Sequence, residues 1–185
     1  NTVSAGSSFT FRPSKNYSLA ATTEFQVNGL EIPNGRTIRD ILESVAEPAE
    51  RLRLGRLLLL EEGTTTLAAT RLTGTVDLRD QIINPTRGLY LTATVEYVKI
   101  LAFLPSGDVP PELPGDTFRS IATVSGYIPI PWRGIVLATS LRGGVNYTPQ
   151  GKTYANRQFF MGGFDSMRGW QQDNLVPEDK YAALR

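Results

Sequence analysis

The residues of this chain that could do chemistry are few, and their types favour holding charge over moving protons. There is no histidine and no cysteine, which removes the commonest general base, the thiol nucleophile and the usual zinc ligands. Paired carboxylates such as Glu61-Glu62 have no metal-ligating neighbour in sequence and read as loop solvation. The informative stretch is Arg157-Gln158-Phe159-Phe160-Met161-Gly162-Gly163-Phe164-Asp165-Ser166-Met167-Arg168-Gly169-Trp170. Two aromatics lead into a glycine pair, which opens backbone angles closed to other residues, and Arg168 is followed by Gly169 and the flat apolar Trp170. The stretch reads as a loop that folds back onto another surface. No catalysis, cofactor or metal is expected from it.

A chain of 185 residues with 41% hydrophobic and 20% charged residues is long enough for one domain with a core. Its net charge of +1, without a basic run, gives no case for nucleic acid. The longest run of one apolar residue type is Leu57-Leu58-Leu59-Leu60, so the chain lacks the roughly 18 consecutive apolar residues of a spanning helix. A spanning barrel is a different matter, because its strands alternate apolar and polar residues. The mean hydropathy of -0.17 therefore does not separate a soluble β-protein from a membrane one. The chain opens at Asn1 with neither Met nor a charged-then-apolar leader, and it reads as a mature or partial chain.

Most of the chain has the period of a strand. Val3, Ala5, Phe9 and Phe11 alternate with Ser4, Gly6, Ser8 and Thr10, and after the polar turn Arg12–Asn16 the pattern resumes with Leu19, Ala21, Phe25 and Val27 against Ala20, Thr22, Glu24 and Gln26. It returns in Leu72, Gly74, Val76 and Leu78 against Arg71, Thr73, Thr75, Asp77 and Arg79, and is cleanest in Leu89, Leu91, Ala93, Val95 and Tyr97 against Tyr90, Thr92, Thr94 and Glu96. Two more strands follow, one carrying Arg119 and one carrying Arg142. The expected strands are about 2–12, 16–29, 65–79, 88–100, 117–130 and 134–147, six in all. Between them Ile38, Ile41, Leu42 and Val45 fall at helical spacing, with Thr37 or Asn34 as N-cap, and the four prolines of 101–116 argue against regular structure there.

These strands are longer than the roughly 5–6 residues typical of soluble sheets, and long enough when tilted to cross an apolar band of about 25 Å. Connectors alternate too. Those after the first, third and fifth strands are short or moderate, whereas 30–63, 101–116 and 148–185 are long. One-sided loops of this kind match an outer-membrane barrel with short periplasmic turns and long extracellular loops. Glu24, Arg71, Asp77, Arg79, Glu96, Arg119 and Arg142 all fall on the polar phase of their strands, where they would be wet; a charge facing lipid at mid-depth would cost about 2–4 kcal/mol. The fold class expected is all-β, with residues 1–185 forming part of a transmembrane antiparallel barrel. Six strands are too few to close one, since the smallest bacterial barrels have about eight.

Two segments carry a family resemblance. Asp77-Leu78-Arg79-Asp80 with Asn84-Pro85-Thr86-Arg87-Gly88-Leu89-Tyr90-Leu91 and Glu96-Tyr97 resembles the Asp-x-Arg-Asp, Pro-x-x-Gly, Glu-Tyr hairpin of the BamA/TamA superfamily of outer-membrane assembly barrels, the bacterial surface antigen family. Phe159-Phe160-Met161-Gly162-Gly163-Phe164-Asp165-Ser166-Met167-Arg168-Gly169-Trp170, with Leu175 and Pro177 beyond, is similar to that family's sixth extracellular loop. The resemblance implies a barrel of about sixteen antiparallel strands, preceded by periplasmic transport modules, with these strands as the sixth to eleventh. It implies that the 157–170 loop enters the lumen, where Arg168 would meet acidic residues on later strands, Gly169 would allow close approach and Trp170 would pack on the wall. Phe160, Gly162, Gly163 and Ser166 would shape the loop, and Asp77, Arg79, Asp80, Pro85 and Gly88 would form a periplasmic hairpin. Trp170 stands where Phe or Tyr is usual, and Met167 where a small aliphatic is common.

The function implied is insertion and assembly of other outer-membrane proteins, without enzymatic activity, in the bacterial outer membrane. The partners implied are unfolded outer-membrane proteins, outer-membrane lipids and accessory lipoproteins. Two alternatives share the fold: a two-partner secretion translocator, and a barrel anchoring a lipase-type domain, although no Gly-x-Ser-x-Gly elbow occurs in these residues. A soluble β-sandwich adhesin is disfavoured by the long strands and one-sided connectors.

Overall fold

The structure is a computed structural model, and it describes residues 2–30, 40, 43–48, 63–105, 114–132, 134–161 and 179–184. Alternating side chains and long uninterrupted strands give one antiparallel sheet: β1 (Thr2–Ser14), β2 (Tyr17–Leu30), β3 (Gly63–Asp77), β4 (Gly88–Pro105), β5 (Thr117–Ile130), β6 (Ile135–Tyr147) and β7 (Lys180–Leu184). The strands lie side by side in chain order, each paired with the next. An up-and-down sheet of this kind is the wall of a barrel.

The phase of each strand decides which face meets what. Register places Thr22, Arg71, Glu96, Arg119 and Asn146 side by side in one row across β2 to β6. The row beside it is Ala20, Thr73, Thr94, Ile121 and Gly144, completed by Tyr181 of β7. The opposite face carries Leu19, Phe25, Leu72, Val95, Phe118, Leu137 and Leu141, all exposed despite being large and apolar. An apolar face turned outward over this many strands would be an aggregation liability in water and is what a bilayer requires. With 13 to 18 residues in each of β1 to β6, a strand tilted as in known barrels rises about 30 Å or more, the thickness of a hydrocarbon core. No helix among the described residues is long and apolar enough to cross a membrane.

Several boundaries differ from the sequence reading, and one strand is new. β4 continues to Pro105 and pairs with β3 as far as Gly63, because the register shifts between Thr66 and Leu67 and takes up one extra β4 residue. The proline at 105 thus ends the strand without forbidding it. At the other end β3 stops at Asp77, although Leu78 still donates to the Leu89 carbonyl at 2.8 Å. A seventh strand, Lys180–Leu184, lies within the expected 148–185 loop, and it pairs with Leu141–Val145 of β6. Its five residues are too few to display alternation. The helical spacing at Ile38, Ile41 and Leu42 lies outside the described residues; beside it, the Ser44 amide donates to the Asp40 carbonyl at 3.1 Å.

Burial is concentrated on one face and at one end. Leu67, Ala69 and Val98 form the apolar cluster, with Ile100 and Tyr154 packed on it. Tyr154 belongs to the segment that follows β6, so the chain doubles back over its own sheet at the end where the long connections lie. The loop expected to enter the lumen begins there.

Candidate functional site

Glu96 sits at the centre of the long row, with only 2% of its side chain exposed. A carboxylate taken that far from water requires compensation. Arg71 Nη2 donates to its Oε1 at 2.8 Å from β3, Arg157 Nη1 lies 3.4 Å from the same oxygen, and Arg119 Nη1 approaches Oε2 from β5 at 3.8 Å. The two flanking arginines are direct cross-strand neighbours of Glu96. Three guanidinium groups therefore share one carboxylate. The sequence reading put these charges on the inward phase and expected them to be wet; for Glu96 that is corrected, since the segment after β6 covers it.

That segment is stitched on in stages. The hydroxyls of Thr117, Thr148 and Thr153 form a chain at 2.9 Å per link, and Gly115 donates to the Lys152 carbonyl at 3.0 Å. Tyr154 then covers the apolar cluster. A single 3-10 turn, Ala155–Arg157, aims Arg157 inward, closed by Arg157 N donating to the Tyr154 carbonyl at 2.8 Å. Arg157 keeps 8% exposure. Besides Glu96 it reaches Gln26 of β2, whose Oε1 accepts from Nη2 at 3.1 Å, while its own carbonyl accepts from Asn146 Nδ2 of β6 at 3.0 Å. One residue thus ties together strands four places apart in the sheet.

Phe159 completes the attachment. Its ring lies 4.6 Å from that of Tyr181, centroid to centroid, and the Arg119 guanidinium stacks over it at 4.8 Å. The space for both rings comes from Gly144, where a Cβ would stand 2.6 Å from the Phe159 ring and 2.7 Å from that of Tyr181. Phe160, the neighbour assigned to the loop motif, is exposed. Gly162, Gly163, Ser166, Arg168, Gly169 and Trp170 lie outside the described residues. Glu96 is already engaged by three cations, which makes it a poor partner for a fourth.

The second motif is brought together as a self-contained turn. Arg79 clasps Asp77 in a two-pronged pair, Nε to Oδ1 at 2.8 Å and Nη2 to Oδ2 at 2.7 Å, and stacks over Tyr90 at 4.7 Å. Asp80 Oδ1 accepts from the backbone of Gln81, Thr86 and Arg87, and Oδ2 accepts from the Thr86 hydroxyl. These bonds lower the Asp80 pKa to about 2, the Thr86 hydroxyl contributing most, and the clasp with Asp77 raises that of Arg79. Gly88 has a φ of 118° and its missing Cβ would run into the Leu78 carbonyl, so only glycine closes the turn. Pro85 lies inside the turn. This arrangement pins the hairpin and offers no open site.

Sequence reasoning quoted Arg157 and Phe159 but gave them no role. The signal for Glu96 was available: Arg71, Glu96 and Arg119 share a phase, although alternation alone does not give the register that aligns them. Nothing in the sequence pattern marks Gly144 as the seat of two rings.

A family model described as the Omp85 superfamily domain matches residues 1–183. The chain is similar to the crystal structure of BamA from Haemophilus ducreyi lacking POTRA domains 1-3, with 15% identity and a TM-score of 0.64, over 99% of this chain. It spans 36% of the length of that chain. No curated protein matches it in sequence. At that identity the likeness speaks for the fold, a stretch of barrel wall.

Proposed function

The chain belongs to the Omp85 superfamily, whose members are outer-membrane β-barrels, and on that premise we propose that it is wall and lumen loop of a barrel that inserts other proteins into the bacterial outer membrane. The role is mechanical and not enzymatic. Free backbone edges at a weakly paired seam elsewhere in such a barrel would template incoming strands by β-augmentation, and β2 to β6 would be the stable wall opposite. In that setting the short-turn end faces the periplasm and the long connections face outward. Its partners would be unfolded outer-membrane proteins, membrane lipid and accessory lipoproteins.

The observation that carries this reading is the segment after β6, held against the inner wall by Arg157 and Phe159. A lumen partly occupied by the protein's own chain along this wall suits strand pairing at a seam better than continuous threading through the pore. Arg168 would add the tip contact that the loop motif implies, bonding to carboxylates on later strands.

The test is reconstitution of the full-length protein in liposomes, with folding of a urea-unfolded eight-stranded barrel followed by protease resistance. Faster folding than in empty liposomes is expected, with the gain reduced in Arg168→Ala while the barrel itself remains folded. Unchanged substrate folding, together with transfer of a polypeptide to the vesicle interior, would replace the proposal with the secretion reading.

A further inference from the structure

The Glu96 row carries more positive charge than it needs. Arg71, Arg119 and Arg157 lie within 4 Å of one carboxylate, which leaves two positive charges in excess within that cluster. Glu96 cannot satisfy all three. Its Oε1 takes both Arg71 and Arg157, and the Arg119 approach to Oε2 at 3.8 Å is too long for a hydrogen bond. The consequence shows in the donors: Nε of Arg119 and Nε of Arg157 are both buried without a hydrogen-bond partner. A buried guanidinium donor left unpaired is costly, and structures seldom keep one without a reason.

Arg119, with Arg71, Thr94, Glu96 and Ile121, also lines a recess of about 210 Å³. The Thr94 hydroxyl pairs with that of Thr73 at 3.0 Å, and the Phe159 ring holds the Arg119 guanidinium in place from the other side. Two cations therefore flank an open space of small-molecule size, Arg119 held by the Phe159 ring and Arg71 by its bond to Glu96. Other ionisable groups on this face have partners of their own: Glu24 Oε1 accepts from Gln26 Nε2 at 2.7 Å, one row along from Arg71. Tyr181 packs on Phe159, and Asp179 is turned to Asn146, whose Nδ2 donates to it at 3.3 Å.

We propose that this recess is a luminal oxyanion site, taking a phosphate or carboxylate group between Arg71 and Arg119. Planar forks of guanidinium donors match both groups in geometry. Two sources present this chemistry, a free oxyanion or an acidic side chain of a polypeptide passing the wall.

The experiment uses the full-length protein in detergent, titrated calorimetrically with inorganic phosphate and with acetate against chloride at constant ionic strength. Saturable binding of either probe, weakened about tenfold or more by Arg119→Gln and by Arg71→Gln, is expected. Glu96→Gln supplies the discriminating readout. Removing the competing carboxylate should tighten phosphate binding and make the thermal midpoint of the variant rise with phosphate more steeply than that of the wild type, an effect no purely structural role of Glu96 would produce. A short acidic peptide that displaces phosphate assigns the site to polypeptide carboxylates, and one that fails to displace it assigns the site to free oxyanions. No binding of phosphate or acetate by the wild type, or binding that survives Arg71→Gln/Arg119→Gln, overturns the proposal.

Discussion

Replacing Glu96 with Gln should destabilise the barrel more than replacing Arg157 with Gln, although the two are partners, and the double variant should be less damaged than the sum. Glu96 is the one anion among three cations, and its loss leaves Arg157, with 8% exposure, in an uncompensated cluster. Breaking a buried pair from one side costs about 3–5 kcal/mol. The lower end applies here, about 3, because Arg71 is 41% exposed and its charge is screened by water. Loss of Arg157 is milder: Glu96 keeps Arg71 at 2.8 Å, repulsion among the cations is relieved, and the bond to Gln26 is worth about 1 kcal/mol. Removing both leaves two better-solvated arginines facing an amide, about 2 kcal/mol in total, so the cycle should show a coupling of about 2 kcal/mol. The assay is equilibrium unfolding of the full-length protein in urea, read by tryptophan emission, with proteolysis between residues 148 and 161 reporting release of the covering segment. Costs that simply add, or an Arg157→Gln variant as damaged as Glu96→Gln, would refute the account of one carboxylate serving three cations.

Gly144→Val should expel Phe159 from its seat at a cost of about 1–3 kcal/mol, seen as earlier protease cleavage of the segment after β6 with the strand content unchanged by circular dichroism. Leu72→Arg, on the outward apolar face, should cost about 2–4 kcal/mol at mid-depth and lower the yield of membrane-inserted protein, whereas Thr73→Arg, its inward neighbour, should insert normally; equal yields would mean the faces are misassigned. The turn at Asp80 gives a pH dependence. Because its folded pKa is depressed to about 2, its contribution is fully present above about pH 4 and is lost as pH falls toward 2; amide protection in 80–87, relative to the unstructured rate at each pH, should fall over that window, and Asp80→Asn should show low protection throughout.

Much of the wall was legible because each strand carries its own evidence. Leu89 to Tyr97 alternates without a fault, and a strand facing lipid on one side and the interior on the other has to. β7 was not legible, since Lys180-Tyr181-Ala182-Ala183-Leu184 is short and owes its pairing to β6. The cluster at Glu96 was half legible: phase put Arg71, Glu96 and Arg119 on one side, but their contact depends on register, which is set by turns and bulges between strands. Arg157 depends on more, the path of a loop across five strands. The hairpin around Asp80 was the reverse case, a local motif whose bonds are nearly all within ten residues and so was visible in the motif itself.

The contact between Arg157 and Gln26 has a consequence for the order in which the protein folds. It joins residues 131 positions apart, so its loop can close only once β2 to β6 have been laid down between them. A slip of one residue in the β2–β3 or β3–β4 pairing would turn Gln26 and Glu96 to opposite faces, so that Arg157 could no longer hold both. Docking of the segment after β6 is thus a late step that depends on a correctly registered wall beneath it.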